Sequence, residues 1–72
     1  MKLYTQDRQK VIEMPREIWF TQYGIEGFAI IGTAYLHGLI GLYETEQRAK
    51  EVLQEIFECY RNSKNSYVMP TE

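Results

Sequence analysis

The spacing of the apolar residues changes at Glu44, and this change constrains the fold more than any other feature of the sequence. Before Glu44 the apolar residues stand in short runs with the alternation typical of β-strands. After it they recur with the spacing of one helical face, at Ala49, Val52, Leu53, Ile56, Phe57 and Tyr60. Strands followed by one amphipathic helix predict an α+β fold in which the helix packs on one face of a small sheet.

Five short runs predict the strands of that sheet. They cover residues 2–6, 11–14, 17–23, 28–35 and 39–43, and polar or glycine-containing turns separate them. We expect three to five of these runs to pair as an antiparallel meander. All 72 residues then form a single small domain, without a linker or a structural repeat.

The helix has a recognisable beginning and end. Thr45 is the expected N-cap, and Glu46 complements the helix dipole in the first turn. We expect the helix to fray between Asn62 and Asn65. The following run, Tyr67-Val68-Met69, predicts a short C-terminal extended segment that ends at Pro70.

The predicted strand from Phe28 to Tyr35 is apolar on both faces, whereas one helix covers only one face of a sheet. A domain of this size buries only about 60% of the surface of its unfolded chain. Either the Tyr67–Met69 segment covers the second face, or another subunit does. We therefore expect an interface on the sheet, with these candidate residues: Trp19, Tyr23, Phe28, Ile31 and Tyr35.

Charge and cysteine content exclude several classes of protein. Eight basic residues stand against ten acidic ones, for a formal net charge of -2, so the chain lacks the basic field that attracts nucleic acid or anionic membranes. The single cysteine, Cys59, allows no internal disulfide, which favours a reducing, cytoplasmic setting. The opening MKLYTQDRQK lacks the apolar stretch of a signal peptide.

A membrane span is the alternative for residues 27–43, which carry no formal charge if His37 is neutral. Glycines interrupt this segment at 27, 32, 38 and 41, and the residues after it are acidic rather than basic. The segment also divides at His37 into two pieces of strand length. We therefore expect strands and no contact with a membrane.

No constellation of residues in the sequence predicts catalysis. His37 is the only histidine, and Cys59 lies near Glu55 and Glu58 rather than near a cation that would activate its thiol. The carboxylates of the helix lack a histidine at ligand spacing, and no phosphate-binding glycine motif occurs. We expect no catalytic residue, no metal and no cofactor, and hence a protein that is not an enzyme.

The strand aromatics suggest one further class. An RNA-recognition-like platform stacks bases on exposed aromatic residues of a sheet, here Trp19 and Tyr23 with Arg16 and Lys10 nearby. The sequence lacks the basic residues that surround the aromatic platform in that fold, and it predicts one helix where that fold has two. A nucleic-acid-binding accessory module is therefore the alternative, and core or oligomer contacts explain the aromatics more simply.

Three segments carry a resemblance that extends over nearly the whole chain. They are Tyr4-Thr5-Gln6-Asp7 followed by Lys10-Val11-Ile12, the stretch LYETEQRAKEVLQEI of residues 42–56, and the closing Tyr67-Val68-Met69-Pro70. Together they resemble a family of small uncharacterised proteins of Firmicutes genomes and their prophages. The family shares an early "QD", a strand meander, a "YxTExxAxxVLxxI" helix and a terminal "YxMP". The resemblance implies this order of elements and a bacterial or phage origin, and no activity.

These observations lead to one functional hypothesis. We expect a small non-enzymatic cytoplasmic protein that associates with itself through its sheet, as a dimer or a higher oligomer. A host or phage protein is a further expected partner. We do not expect nucleic acid as a partner.

Overall fold

The strands form two three-stranded sheets, as shown by a computed structural model that describes residues 1–25, 27–33 and 38–72. Sheet A has the order β2-β1-β6 and contains β1 (Lys2–Tyr4), β2 (Val11–Glu13) and β6 (Ser66–Val68). Sheet B has the order β3-β4-β5 and contains β3 (Ile18–Tyr23), β4 (Gly27–Gly32) and β5 (Leu39–Tyr43). The helix α1 (Glu46–Arg61) connects β5 to β6. The predicted α+β class is confirmed.

Sheet A is built around β1, which runs antiparallel to β2 and parallel to β6. Leu3 lies opposite Ile12 on one side and Tyr67 on the other. Leu3 and Ile12 are buried, whereas the residues that alternate with them are exposed. The predicted C-terminal extended segment is thus the strand β6, which pairs parallel to β1 because the helix returns the chain to the same end.

Sheet B is the predicted antiparallel meander. The pairing of β3 with β4 is regular, whereas one bulge interrupts the pairing of β4 with β5. The bulge falls where Ile30 lies opposite Gly41 and Ile31 lies opposite Leu39. The extra residue, Ile40, is buried and belongs to the hydrophobic core.

The helix covers one face of sheet B, as predicted. Thr45 is the N-cap, and its side chain accepts a hydrogen bond from the Arg48 backbone N–H at 3.1 Å. The buried side of the helix packs into a single core with both sheets. That core consists of Leu3, Ile12, Ile30, Ile40, Tyr43, Ala49, Val52, Ile56 and Met69.

The division into two sheets is the main difference from the expected single sheet. Pro15 stands between β2 and β3, and a proline has no N–H with which to continue a ladder. Its ring lies so close to Gly32 that a Cβ on that glycine would be 2.6 Å from Pro15 Cγ. Residues 34–37, predicted as the end of a strand and the following turn, lie outside the described residues. In the part of the chain that is described, no helix is long and apolar enough to cross a membrane.

Candidate functional site

The two faces of sheet B have different surroundings. Residues that lie opposite each other in an antiparallel pair point to the same face, so the register assigns each side chain to a face. Phe20 and Ile30 form one such pair, and they point towards the helix. The face turned away from the helix, which we call the outer face of sheet B, consists of Trp19, Thr21, Tyr23, Ala29, Ile31, Leu39 and Leu42.

The outer face is apolar and largely accessible. Trp19 is 43% exposed, Tyr23 44% and Leu39 40%. Ala29 lies at the centre of this face and is fully buried. All seven residues are uncharged. An apolar surface of this kind on a sheet is typical of a protein interface, where aromatic residues supply much of the contact area.

The structure brings three of the five candidate interface residues together. Trp19 and Ile31 are directly opposite each other, and Tyr23 shares their face. Phe28 lies on the other face, opposite Gln22 and Tyr43, and packs half-buried against the core. Tyr35 lies outside the described residues. The C-terminal run does not cover the outer face, because it forms β6 in sheet A.

One edge of sheet B is closed by Gln6. The backbone N–H of Gln6 donates to the Ile40 carbonyl at 3.1 Å. Its side-chain amide then donates to the Leu42 carbonyl at 2.7 Å and accepts from the Leu42 N–H at 2.6 Å. Gln6 also donates to the carbonyl of Thr71 at 3.0 Å, which ties the C-terminal residues to the same place. A single residue therefore satisfies the outward backbone groups at the end of β5.

The opposite edge of sheet B, along β3, has no neighbouring strand among the residues that the structure describes, and we call it the open edge. The N–H and C=O of Glu17 both point towards the neighbouring strand, where they meet Thr33. Because this direction alternates along a strand, the backbone groups of Ile18, Phe20 and Gln22 point away from β4. No hydrogen bond among residues 1–25, 27–33 and 38–72 involves these groups. Sequence patterns did not identify this edge, because they do not reveal which strands lie outermost.

Two further apolar surfaces were also not predicted. A groove of about 510 Å³ runs between the helix and the start of β3, and its apolar walls come from Met14, Ile18, Leu53, Ile56 and Phe57. On sheet A, Tyr4 lies between Val11 and Val68 on the exposed face. The sequence signal for this groove was that the apolar stripe of the helix is wide. Phe57, at the margin of that stripe, is 53% exposed and lines the groove.

Two tyrosines with raised pKa values hold the C-terminal segment. Tyr43 donates to the Pro70 carbonyl at 2.9 Å, and burial raises the pKa of Tyr43 to about 12. Tyr67 donates to Glu55 Oε1 at 2.5 Å, and burial followed by this hydrogen bond raises the pKa of Tyr67 as well. Both hydroxyls are donors to fixed acceptors, an arrangement that anchors β6 to the helix and to sheet B.

The residues considered for catalysis are not brought together in the described structure. Cys59 is a free, half-buried cysteine on α1, and His37 lies outside the described residues. Three carboxylates of the helix, Glu51, Glu55 and Glu58, are engaged with neighbours, as in the pairs of Arg48 with Glu51 and of Arg61 with Glu58. No group of three metal-binding side chains occurs in residues 1–25, 27–33 and 38–72.

No family model, no curated protein and no solved structure matches the chain. The resemblance to small Firmicutes and prophage proteins therefore stays a prediction.

Proposed function

We propose that this protein is a non-enzymatic interaction module that associates with a second copy of itself through sheet B. The observation that carries the proposal is the outer face of sheet B, where Trp19, Tyr23 and Leu39 are each at least 40% exposed around the buried Ala29. Packing the aromatic side chains of this face, Trp19 and Tyr23, against a second copy removes apolar surface from water, which contributes about 25 cal/mol per Å². An aromatic side chain buries about 150–250 Å² when it is fully covered, so the two aromatics dominate that gain.

Charge favours a second copy over nucleic acid as the occupant. The outer face is uncharged, so two copies bring no like charges together there. A nucleic-acid surface gains its affinity from cations beside the aromatic platform, and the chain as a whole is acidic. We place the association in a reducing, cytoplasmic setting, for which the single cysteine is the argument.

Sedimentation velocity on two matched lysine variants tests this proposal. Trp19→Lys places a charge on the outer face of sheet B, and we expect it to yield monomers. Val11→Lys places the same charge on the exposed face of sheet A, where Val11 is 53% exposed, and we expect it to associate like the unmodified protein. Circular dichroism establishes that both variants are folded. Association of the folded Trp19→Lys variant at the unmodified strength would contradict the proposal.

A further inference from the structure

We infer that two copies of this chain join through the open edge of β3, in an antiparallel pair centred on Thr21, so that their B sheets become one six-stranded sheet. This inference rests on the proposed self-association and names the edge and the register that perform it. The pairing brings the outer faces of the two copies side by side, so that Trp19 of each copy packs against Tyr23 of the other. The strand order of the resulting sheet is β5-β4-β3-β3-β4-β5, with a two-fold axis through the centre.

The first argument is the state of the two edges of sheet B. The β5 edge is occupied, because Gln6 bonds the carbonyl of Ile40 and both the N–H and the C=O of Leu42. The β3 edge is a row of outward backbone donors and acceptors at Ile18, Phe20 and Gln22, without a partner in the described residues. A strand edge of this kind is a template for pairing with another strand.

The second argument is the composition of the edge strand. Monomeric proteins protect such edges with charged residues, proline, a bulge or a very short strand. The six residues of β3, IWFTQY, contain no charge and no proline, and they pair with β4 without a bulge. The edge is thus long, uncharged and regular, and it meets a second copy of itself without electrostatic repulsion.

The third argument is the self-complementarity of one register. Pairing centred on Thr21 places Trp19 of each copy opposite Tyr23 of the other, on the outer face. These are non-hydrogen-bonded positions, whose Cα atoms come within about 4.5 Å and whose side chains lie closest. Aromatic pairs at such positions are among the most favourable cross-strand contacts. The backbone groups of Phe20 in one copy then bond those of Gln22 in the other.

A fourth observation lies at the end of the strand. In this register Gly24 of the second copy lies opposite Ile18, so its turn arrives beside the apolar groove of about 510 Å³ that Ile18 lines. Ile25, the next residue of that turn, is fully exposed in the single chain. The association therefore carries an exposed isoleucine of each copy to the mouth of an apolar groove on the other.

A proline at position 22 tests the edge without disturbing the sheet. The N–H of Gln22 points away from β4, so Gln22→Pro removes a donor from the open edge and leaves the β3–β4 ladder intact. We expect light scattering to show a monomer for Gln22→Pro and a dimer for its control, Gln22→Ala. A folded Gln22→Pro variant that remains dimeric overturns the edge pairing and leaves self-association by another surface standing.

Oxidative cross-linking tests the register and does not depend on the proline variant. In a Cys59→Ser background, Thr21→Cys brings two sulfurs to facing positions, because a disulfide spans Cα atoms about 4.4–6.8 Å apart. Tyr23→Cys in the same background is the control, since its two copies are offset by about 13 Å along the strands. We expect a covalent dimer from Thr21→Cys alone. A dimeric protein in which Thr21→Cys forms no disulfide overturns this register, whereas a monomeric parent protein contradicts the proposed function itself.

Discussion

Gln6 and Leu42 exchange two hydrogen bonds, in which the side-chain amide of Gln6 takes the place of a neighbouring strand. Gln6 Nε2 donates to the Leu42 carbonyl at 2.7 Å, and Gln6 Oε1 accepts from the Leu42 N–H at 2.6 Å. A primary amide can do this because it offers a donor and an acceptor side by side, in the arrangement of a peptide group. The contact joins the two sheets and occupies the β5 edge of sheet B, whereas the β3 edge has no neighbouring strand in the described part of the chain.

Replacing Gln6 with alanine is expected to destabilise the protein. The substitution removes both hydrogen bonds and leaves the part-buried N–H and C=O of Leu42 without these partners, which costs about 1–3 kcal/mol. Urea denaturation followed by circular dichroism measures the change. Gln9→Ala is the matched control, because Gln9 is exposed and its side chain makes one long contact of 3.4 Å. Equal stability of the two variants would contradict the role assigned to Gln6.

Gly27→Ala is expected to cost more stability than Gly24→Ala. Both glycines have positive φ, but a Cβ at Gly27 would overlap the Tyr43 carbonyl oxygen, whereas a Cβ at Gly24 meets none of the described atoms within 4 Å. Gly24→Ala therefore carries only the conformational cost of about 1–2 kcal/mol. Gly27→Ala adds a displacement of the β4–β5 pairing. Thermal denaturation of the two variants gives the order, and the reverse order contradicts the close approach of Gly27 to β5.

The N-cap of the helix predicts that alanine at position 45 destabilises the protein and that serine at the same position does not. Thr45 accepts a hydrogen bond from the Arg48 N–H at 3.1 Å, so Thr45→Ala should destabilise the protein by about 1 kcal/mol. Thr45→Ser retains the hydroxyl and should restore most of that loss. Chemical denaturation distinguishes the two. A serine variant as unstable as the alanine variant would show that the methyl group, rather than the cap, is the important part of Thr45.

The raised tyrosine pKa values predict how stability depends on alkaline pH. An unfolded tyrosine ionises near pH 10, whereas the pKa of the folded Tyr43 is about 12, so the folded state holds its proton more tightly. The resulting stabilisation is complete below pH 10 and is lost as the pH rises from 10 to 12. The pKa of Tyr67 is raised in the same direction.

Urea denaturation at a series of pH values measures this dependence. The double variant with Tyr43→Phe and Tyr67→Phe removes both ionising groups, so its stability should decline less steeply between pH 10 and 12. Its stability at neutral pH should be lower, because the bonds to Pro70 and Glu55 are lost. An unchanged alkaline decline in the double variant would contradict the burial of these hydroxyls.

The helix, its N-cap and the β3–β5 meander could be predicted from the sequence, because each is specified by residues that are close together in the chain. Thr45 as N-cap, the helical stripe through Ala49 and Ile56, and the meander of β3 to β5 all lie where the sequence places them. Each depends on residues within about one turn or one hairpin of each other. The predicted stripe is buried at Ala49, Val52 and Ile56, because side-chain spacing alone decides which residues share a face. Its members Phe57 and Tyr60 remain exposed, because their burial depends on what packs against that end of the helix.

The separation into two sheets did not follow from the sequence because it depends on distant contacts. The pairing of β1 with β6 joins residues at opposite ends of the chain, and the Gln6–Leu42 contact spans 36 positions. Nothing local in Gln6 distinguishes it from other polar residues near a turn. Phe28 shows the same limit. Its strand was recognised as apolar on both faces, but only the register with Gln22 places it on the inner one.

The molar mass of the unmodified protein in solution tests the central claim most directly. Light scattering after size-exclusion chromatography, repeated over a range of loading concentrations, gives that mass without any substitution. Association through sheet B predicts a mass that rises with concentration to twice the 8.6 kDa of the chain. A mass of 8.6 kDa at every concentration would contradict it.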